Sequence, residues 1–286
     1  MFELSYHRDP GVLHVGTTAQ RNYFVPWPAK DLQVALAATR PESSALYKSL
    51  NGEWDFRLLE CPEDVEEAWV TGAETPKSFG RITVPSPWQI QGHGKHQYTN
   101  VRYAIPLDPP YPPALNETAV YRRTFTVQPD AVDKAYELWF DGVDSCYYVW
   151  LNGEFLGYSQ VSHATSGFDV SGKLKAGDNQ LAVVVLKYCD GTYLEDQDKL
   201  RMSGIFRDVY LLERASQHVQ SFRVEFQLNE NFESAEIQLA AKWSQVPDAW
   251  TVSLLNPQGE TLAKAEGGKK TDELVRFTVD QPQLWS

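Results

Sequence analysis

From Ser49 onward the chain alternates apolar and polar residues in short runs separated by turn residues, the pattern of antiparallel strands that bury one face. In Leu50-Asn51-Gly52-Glu53-Trp54-Asp55-Phe56 an Asn-Gly pair opens a run that alternates Trp54 with Phe56. Val149-Trp150-Leu151-Asn152-Gly153-Glu154-Phe155-Leu156-Gly157 sets Asn-Gly between two apolar runs, and that pair tolerates the positive φ angles of a type I′ hairpin. Further strands are predicted over 121–127, 135–140, 180–187 and 208–212, with Gly177-Asp178-Asn179 as a tight turn feeding the third. No long helical repeat interrupts them. With a long connection over 85–113, this order predicts a double-sheet jelly roll over 46–212 rather than a parallel α/β fold.

The two ends read differently. Residues 1–43 carry Pro10, Pro26, Pro28 and Pro41 and little periodicity, which predicts an extended arm with one short helix around 30–39. After Arg214 alternation resumes over 220–227, 236–243, 251–255 and 274–279, separated by Asn229-Glu230-Asn231 and Pro257-Gln258-Gly259 turns, the texture of an immunoglobulin-like sandwich. That template takes about seven strands in ~100 residues, more than 215–286 holds, and the chain stops on Leu284-Trp285-Ser286. The expectation is that the sequence ends inside this second domain; a compact terminal module closed by Trp285 is the alternative. The predicted fold class is all-β: an N-terminal arm (1–43), a jelly roll (44–214) and an incomplete immunoglobulin-like sandwich (215–286).

At 286 residues the chain is long enough for two domains of ordinary size. Its 9 Trp, 14 Tyr and 13 Phe first of all suit pleated, half-buried surfaces, and such rings also stack on pyranose faces. A net charge of -12 with no basic stripe would repel a phosphate backbone, which excludes nucleic acid as a partner. The N-terminus has neither a basic region nor an apolar core of the signal-peptide kind, and no apolar run approaches the ~20 residues that span a bilayer; the expectation is a cytoplasmic protein without a membrane partner. Cys61, Cys146 and Cys189 are odd in number and widely spaced, and read as reduced structural thiols. Asn116-Glu117-Thr118 matches the N-glycosylation pattern by chance, since no secretory signal precedes it.

Candidate chemistry concentrates in Tyr193-Leu194-Glu195-Asp196-Gln197-Asp198, which runs into Arg201-Met202-Ser203-Gly204-Ile205-Phe206-Arg207-Asp208-Val209. Crowded carboxylates between apolar strands raise the free energy of the fold unless they bind something, although an isolated acidic run is most simply a solvated turn. A second segment is Gln97-Tyr98-Thr99-Asn100-Val101, followed by Ile105-Pro106 and Pro109-Pro110. There an asparagine before a proline-rich loop most simply ends a strand, while its amide also offers donors and acceptors to vicinal hydroxyls. His93 and His96 lack the neighbouring ligands zinc requires and read as solvent-facing.

Together these segments resemble the sugar-binding domain of family 2 glycoside hydrolases, most closely the large bacterial β-galactosidases of the lactase type, and the likeness extends over nearly the whole chain. The resemblance implies that Asn100 hydrogen-bonds a galactosyl unit and that Asp198 binds the sugar together with a sodium ion. The related β-glucuronidases lack the acidic tetrapeptide, so its presence points to the galactosidase branch. A magnesium ion between arm and jelly roll is implied at Asp9, Gln160 and Asp190. The Asp9-Pro10 pair departs from the Asn-Pro common at that place, but a carboxylate is equally an oxygen ligand.

In this family the nucleophile and the acid/base, two carboxylates ~5 Å apart in retaining enzymes, lie on a TIM barrel of ~250 residues. No such segment follows the sandwich. The acid/base glutamate follows an asparagine in the family, but Asn116-Glu117 and Asn229-Glu230 both fall in what reads as hydrophilic turns, so no catalytic residue is assigned to this chain. The implied function is the N-terminal, substrate-positioning portion of a β-galactosidase that cleaves β-galactosides such as lactose with retention, inactive without the barrel of the same or a partner chain. Family members are often oligomers, and the full enzyme is expected to be a homo-oligomer. A self-contained lectin-like module and a small subunit of a two-chain enzyme remain open as alternatives.

Overall fold

A computed structural model describes residues 4–72, 76–98, 103, 105–128, 134–195, 198, 200–269 and 274–284. The chain is all-β and divides into two compact units, one made of residues 1–20 and 47–213, the other of 21–46 and 214–286. The first unit contains strands β1 (His14–Val15), β2 (Tyr47–Ser49), β3 (Gly52–Leu59), β4 (Gly80–Val84), β5 (Gln97–Tyr98), β6 (Thr118–Val127), β7 (Ala135–Phe140) and β8 (Val143–Asp144). It continues with β9 (Cys146–Leu151), β10 (Glu154–Gln160), β11 (Ser166–Asp169), β12 (Gly177–Leu186), β13 (Leu200–Arg201), β14 (Gly204–Ile205) and β15 (Val209–Arg214).

Seven of these strands form one sheet in the order β1-β10-β9-β12-β6-β3-β4, and four form another in the order β11-β7-β15-β2. A shared core joins them: Trp54, Tyr121 and Val183 from the larger sheet meet Phe140, Phe168 and Leu211 from the smaller. The opposite face of the larger sheet is also covered. There Val120, Tyr148, Trp150, Tyr158 and Val184 pack under Leu4 of the N-terminal segment and under Val65, Trp69 and Val70, the last two on the short helix α1 of the first unit (Glu67–Thr71). Covering both faces explains why β9 and the second half of β12 are apolar at every position instead of alternating.

The N-terminal segment is tied down by backbone pairing as well as by packing. β1 runs antiparallel to β10, with His14 opposite Ser159 and Val15 opposite Tyr158. A 3-10 turn, Tyr6–Arg8, stacks Tyr6 on Tyr148 and buries His7 completely.

The Asn152-Gly153 hairpin is as the sequence predicts: Leu151 pairs with Glu154, and the two loop residues have φ of 53° and 84°. Gly153 has a second reason to be glycine, because a Cβ there would lie 2.7 Å from the carbonyl oxygen of Thr71. The expected turn at 177–179 lies instead inside the opening of β12, where Gly177 already faces Val127. Asn179 gives the reason: its Oδ1 accepts from Lys175 N and its Nδ2 donates to Lys175 O, so the reversal closes upstream of the ladder.

The second unit holds β16 (Val219–Leu228), β17 (Ser234–Trp243), β18 (Trp250–Leu255), β19 (Thr261–Gly267) and β20 (Leu274–Asp280), arranged as a three-stranded sheet β16-β17-β20 and a hairpin β18-β19. β19 escapes the alternation test because it carries few apolar side chains. The Pro257-Gln258-Gly259 turn is shaped by Asn256, whose Oδ1 accepts from Gln258 N and Glu260 N. Residues 21–46 belong to this unit: Asn22 Oδ1 accepts from Phe222 N at 3.1 Å, and Phe24 packs on Phe222 beneath the Arg21 and Arg214 guanidinium groups. The short helix expected around 30–39 is present as Leu32–Ala37. Trp285, which the compact-module alternative invokes, lies outside the described residues. Among the described residues no helix is long and apolar enough to cross a membrane.

Candidate functional site

The two segments singled out in the sequence meet in the structure. β5 pairs antiparallel with β13, Tyr98 opposite Leu200 and Gln97 opposite Arg201. Across this ladder the Tyr98 hydroxyl donates to Asp198 Oδ1 at 2.5 Å. Asp198 is exposed and Tyr98 half exposed, so both present polar atoms to solvent. Asn100, like Asp196 and Gln197, lies outside the described residues; Tyr98, two positions before it, is the described residue that brings this segment to Asp198.

The first half of the acidic stretch is anchored as well. Glu195 accepts from Ser162 N at 3.1 Å and from Ser162 Oγ at 2.6 Å, which satisfies its carboxylate against the loop after β10. Tyr193 donates its hydroxyl to the carbonyls of Pro106 and Tyr111 and stacks on Tyr103, holding the proline-rich loop beside the acidic turn. Tyr98 and Tyr193 stand in the singled-out segments, but their contacts and that of Ser162 carry no local signal, since they join segments 33 to 100 positions apart.

The three residues implied as magnesium ligands come from separate elements: Asp9 follows the N-terminal 3-10 turn, Gln160 ends β10, and Asp190 begins the 3-10 helix Asp190–Tyr193. Gln160 and Asp190 are buried, and neither Asp190 Oδ1 nor Gln160 Nε2 makes a hydrogen bond of good geometry. Burial raises the Asp190 pKa, the Gln160 side chain and the backbone N–H groups of Gly191 and Asp190 act against the rise, and the Asp9 charge adds to it. Two carboxylates that feel each other and an amide, one oxygen of the buried carboxylate lacking a partner, are donors that fit a hard divalent cation. Among the described residues no cluster of three or more His, Cys, Asp or Glu side chains gathers as a metal cage. The His93 ring lies against Phe56, consistent with packing rather than ligation.

Asn116 corrects its reading as part of a hydrophilic turn. It is buried, and its amide holds the backbone of Tyr188, with Nδ2 donating to Tyr188 O and Oδ1 accepting from Tyr188 N. The neighbouring Glu117 pairs with Lys187. An amide so engaged is closed to glycan attachment, and Glu117 is spoken for as a structural ion pair.

The fold and this site define a class: a β-sandwich module that presents an exposed carboxylate bonded to a tyrosine hydroxyl, with a tyrosine-bound loop beside the acidic turn. Residues 47–215 match the family described as glycosyl hydrolases family 2, sugar binding domain, and the chain belongs to that family. It is 43% identical over 282 residues to a β-galactosidase of Actinobacillus pleuropneumoniae, covering 99% of this chain and 27% of that protein. It is 39% identical over 286 residues to a β-galactosidase of Staphylococcus xylosus, covering 100% of this chain and 28% of that one. The chain thus spans well under half the length of these curated relatives. Among solved structures, a β-glucuronidase of Bifidobacterium dentium superposes with a TM-score of 0.64 over 84% of this chain and 42% of that chain, at 18% identity, a likeness of fold alone.

Proposed function

We propose that this chain is the N-terminal, substrate-positioning portion of a β-galactosidase that hydrolyses terminal β-D-galactosides such as lactose with retention. The observation that carries the proposal is the Tyr98–Asp198 hydrogen bond across the β5–β13 ladder, which joins the Asn100-bearing segment to the acidic turn. The β-galactosidase relatives, which align over essentially all of this chain, support the same reading.

In this reading Asn100 and Asp198 hold the hydroxyls of the galactosyl unit, and Tyr98 keeps the Asp198 carboxylate turned toward it. Hydrogen bonds to the sugar hydroxyls that persist from bound substrate to transition state lower KM and so raise kcat/KM. The bond-breaking carboxylates belong to a TIM barrel in the same or a partner chain. A sodium ion beside Asp198 would take its exposed carboxylate, a hard oxygen donor, as a ligand and would neutralise charge there. The three free thiols agree with a cytoplasmic setting. Purified alone, the chain is expected to leave a chromogenic β-galactoside intact and to bind galactose weakly, activity appearing only with the barrel-bearing remainder. Turnover by the isolated chain, lost on replacing one of its own carboxylates, would contradict the proposal, and tight galactose binding by the isolated chain would indicate a self-contained lectin.

A magnesium ion at Asp9, Gln160 and Asp190 would tie the N-terminal segment to the sandwich and supply charge compensation to two carboxylates. Its expected signature is stabilisation of the isolated chain by ~1.4 kcal/mol at free magnesium tenfold above Kd, measured by thermal unfolding. Asp190→Ala should abolish the magnesium dependence; a wild-type transition indifferent to magnesium and to chelator would exclude the site.

A further inference from the structure

The proposed sugar-binding rim rests on a ladder of two residues from each strand, and a ribbon that short does not hold its own shape in water. Its support comes from below. Tyr188, two residues past the end of β12, is buried and donates its hydroxyl to Gln97 Oε1 at 2.8 Å. Gln97 is the register partner of Arg201, itself buried, and the immediate neighbour of Tyr98. Successive side chains on a strand point to opposite faces, so fixing Gln97 on the inner side sets the outward direction of Tyr98.

Tyr188 is in turn fixed by its own backbone. The Asn116 amide bonds both the N–H and the C=O of Tyr188, each at 2.9 Å. One residue earlier Lys187 N donates to Glu117 O at 3.0 Å, and the Lys187 ammonium pairs with the Glu117 carboxylate. A continuous path therefore runs from the ends of β6 and β12 through Asn116, Tyr188 and Gln97 to Tyr98 and Asp198.

We propose that Tyr188, acting through Gln97, is a positioning residue that sets the reach of Tyr98 and Asp198 toward the sugar. The inference rests on reading Asp198 as a sugar-binding group. Tyr188 touches no substrate; its hydroxyl converts the rigidity of the sandwich into the orientation of the rim.

The test uses the complete polypeptide carrying this chain, with steady-state kinetics on a chromogenic β-galactoside and melting temperatures for every variant. Losing a neutral hydrogen bond of ~1 kcal/mol corresponds to about fivefold in binding. Tyr188→Phe is expected to raise KM about fivefold with kcat within about twofold, the pattern of lost uniform binding. Gln97→Met should do the same, the double variant should be no worse than either single one, and Gln97→Glu, which keeps an acceptor for the Tyr188 hydroxyl, should retain the wild-type KM. Asp198→Ala serves as the reference. If it raises KM while Tyr188→Phe changes only the melting temperature, or if the two single effects multiply in the double variant, the positioning role is overturned and the site stands. If Asp198→Ala leaves KM unchanged, the site reading and this inference fall together.

Discussion

Replacing Asp198 with alanine in the complete polypeptide is expected to lower kcat/KM for a β-galactoside by about a hundredfold, or about 3 kcal/mol of transition-state binding. An ionised carboxylate accepting hydrogen bonds contributes about 1.5–3 kcal/mol per bond, and Asp198 is exposed, with Tyr98 Oη donating to one of its oxygens. Because it is exposed, the substitution should cost little stability, which separates a loss of binding from a loss of fold. Asparagine, which keeps one acceptor oxygen but not the charge, should fall between wild type and alanine. A variant with alanine at this position that kept kcat/KM within about twofold of wild type would remove the residue from the site.

The second large effect concerns acid. His7 is fully buried against the outer face of the seven-stranded sheet, where its backbone N–H donates to Tyr148 Oη, its Nδ1 lies 3.2 Å from the same hydroxyl, and its Nε2 accepts from Arg8 Nε at 3.0 Å. Burial, seconded by the Arg8 charge and opposed by Glu63 and by a hydrogen bond with the Leu4 backbone, lowers its pKa to about 4 from the ordinary 6.5. Both ring nitrogens are engaged in a way that suits the neutral imidazole: a proton on Nε2 would face the Arg8 guanidinium. Since the folded pKa lies below the unfolded one, the stabilisation is fully present above pH 6.5 and is lost as the pH falls from 6.5 toward 4.

At about 1.36 kcal/mol per unit the loss amounts to about 3 kcal/mol by pH 4. A cation at Asp9 would push His7 in the same direction. The N-terminal segment, held by the two residue pairs of β1 and by the packing of Leu4 and Tyr6, is the part expected to detach first. Denaturant unfolding and limited proteolysis of residues 4–20 between pH 7 and 4 measure the effect. His7→Gln, neutral throughout that range, should flatten the acid limb by the stated amount; identical acid limbs in both proteins would show that His7 does not carry it.

How much of this was readable in the chain itself varied with the range of the interaction involved. The Asn152-Gly153 hairpin was fully legible because both residues determine their own φ angles. The strands around Trp54 and Leu138 are legible because a single buried face imposes a period of two. β9 and the end of β12 show no alternation, and the reason, an N-terminal segment and α1 lying on their second face, is a contact between distant parts of the chain. Asn179 has the local preference of a turn residue, whereas its side chain bonds the backbone four positions earlier and leaves it in a strand. Asn116 departs from its local signal for a related cause: a polar pair before a strand suggests a surface turn, and only the fold brings Tyr188 within reach of its amide.

At the site the same distinction holds. Asp198 stood out as an acid among acids in a segment with a recognisable neighbourhood. Tyr98 carries no local signal of its partnership with a carboxylate 100 positions away, nor Tyr188 of its bond to Gln97. Those contacts depend on β5 and β13 lying side by side, and two-residue strands are too short for a periodic pattern.

The most direct measurement is a crystal structure of the complete polypeptide with a β-galactoside bound. The prediction is a galactosyl unit whose hydroxyls lie within hydrogen-bond distance of Asn100 and Asp198, with its anomeric carbon facing carboxylates contributed from outside residues 1–286. A sugar seated away from the β5–β13 ladder, or one whose anomeric carbon faces a carboxylate of this chain, would contradict it.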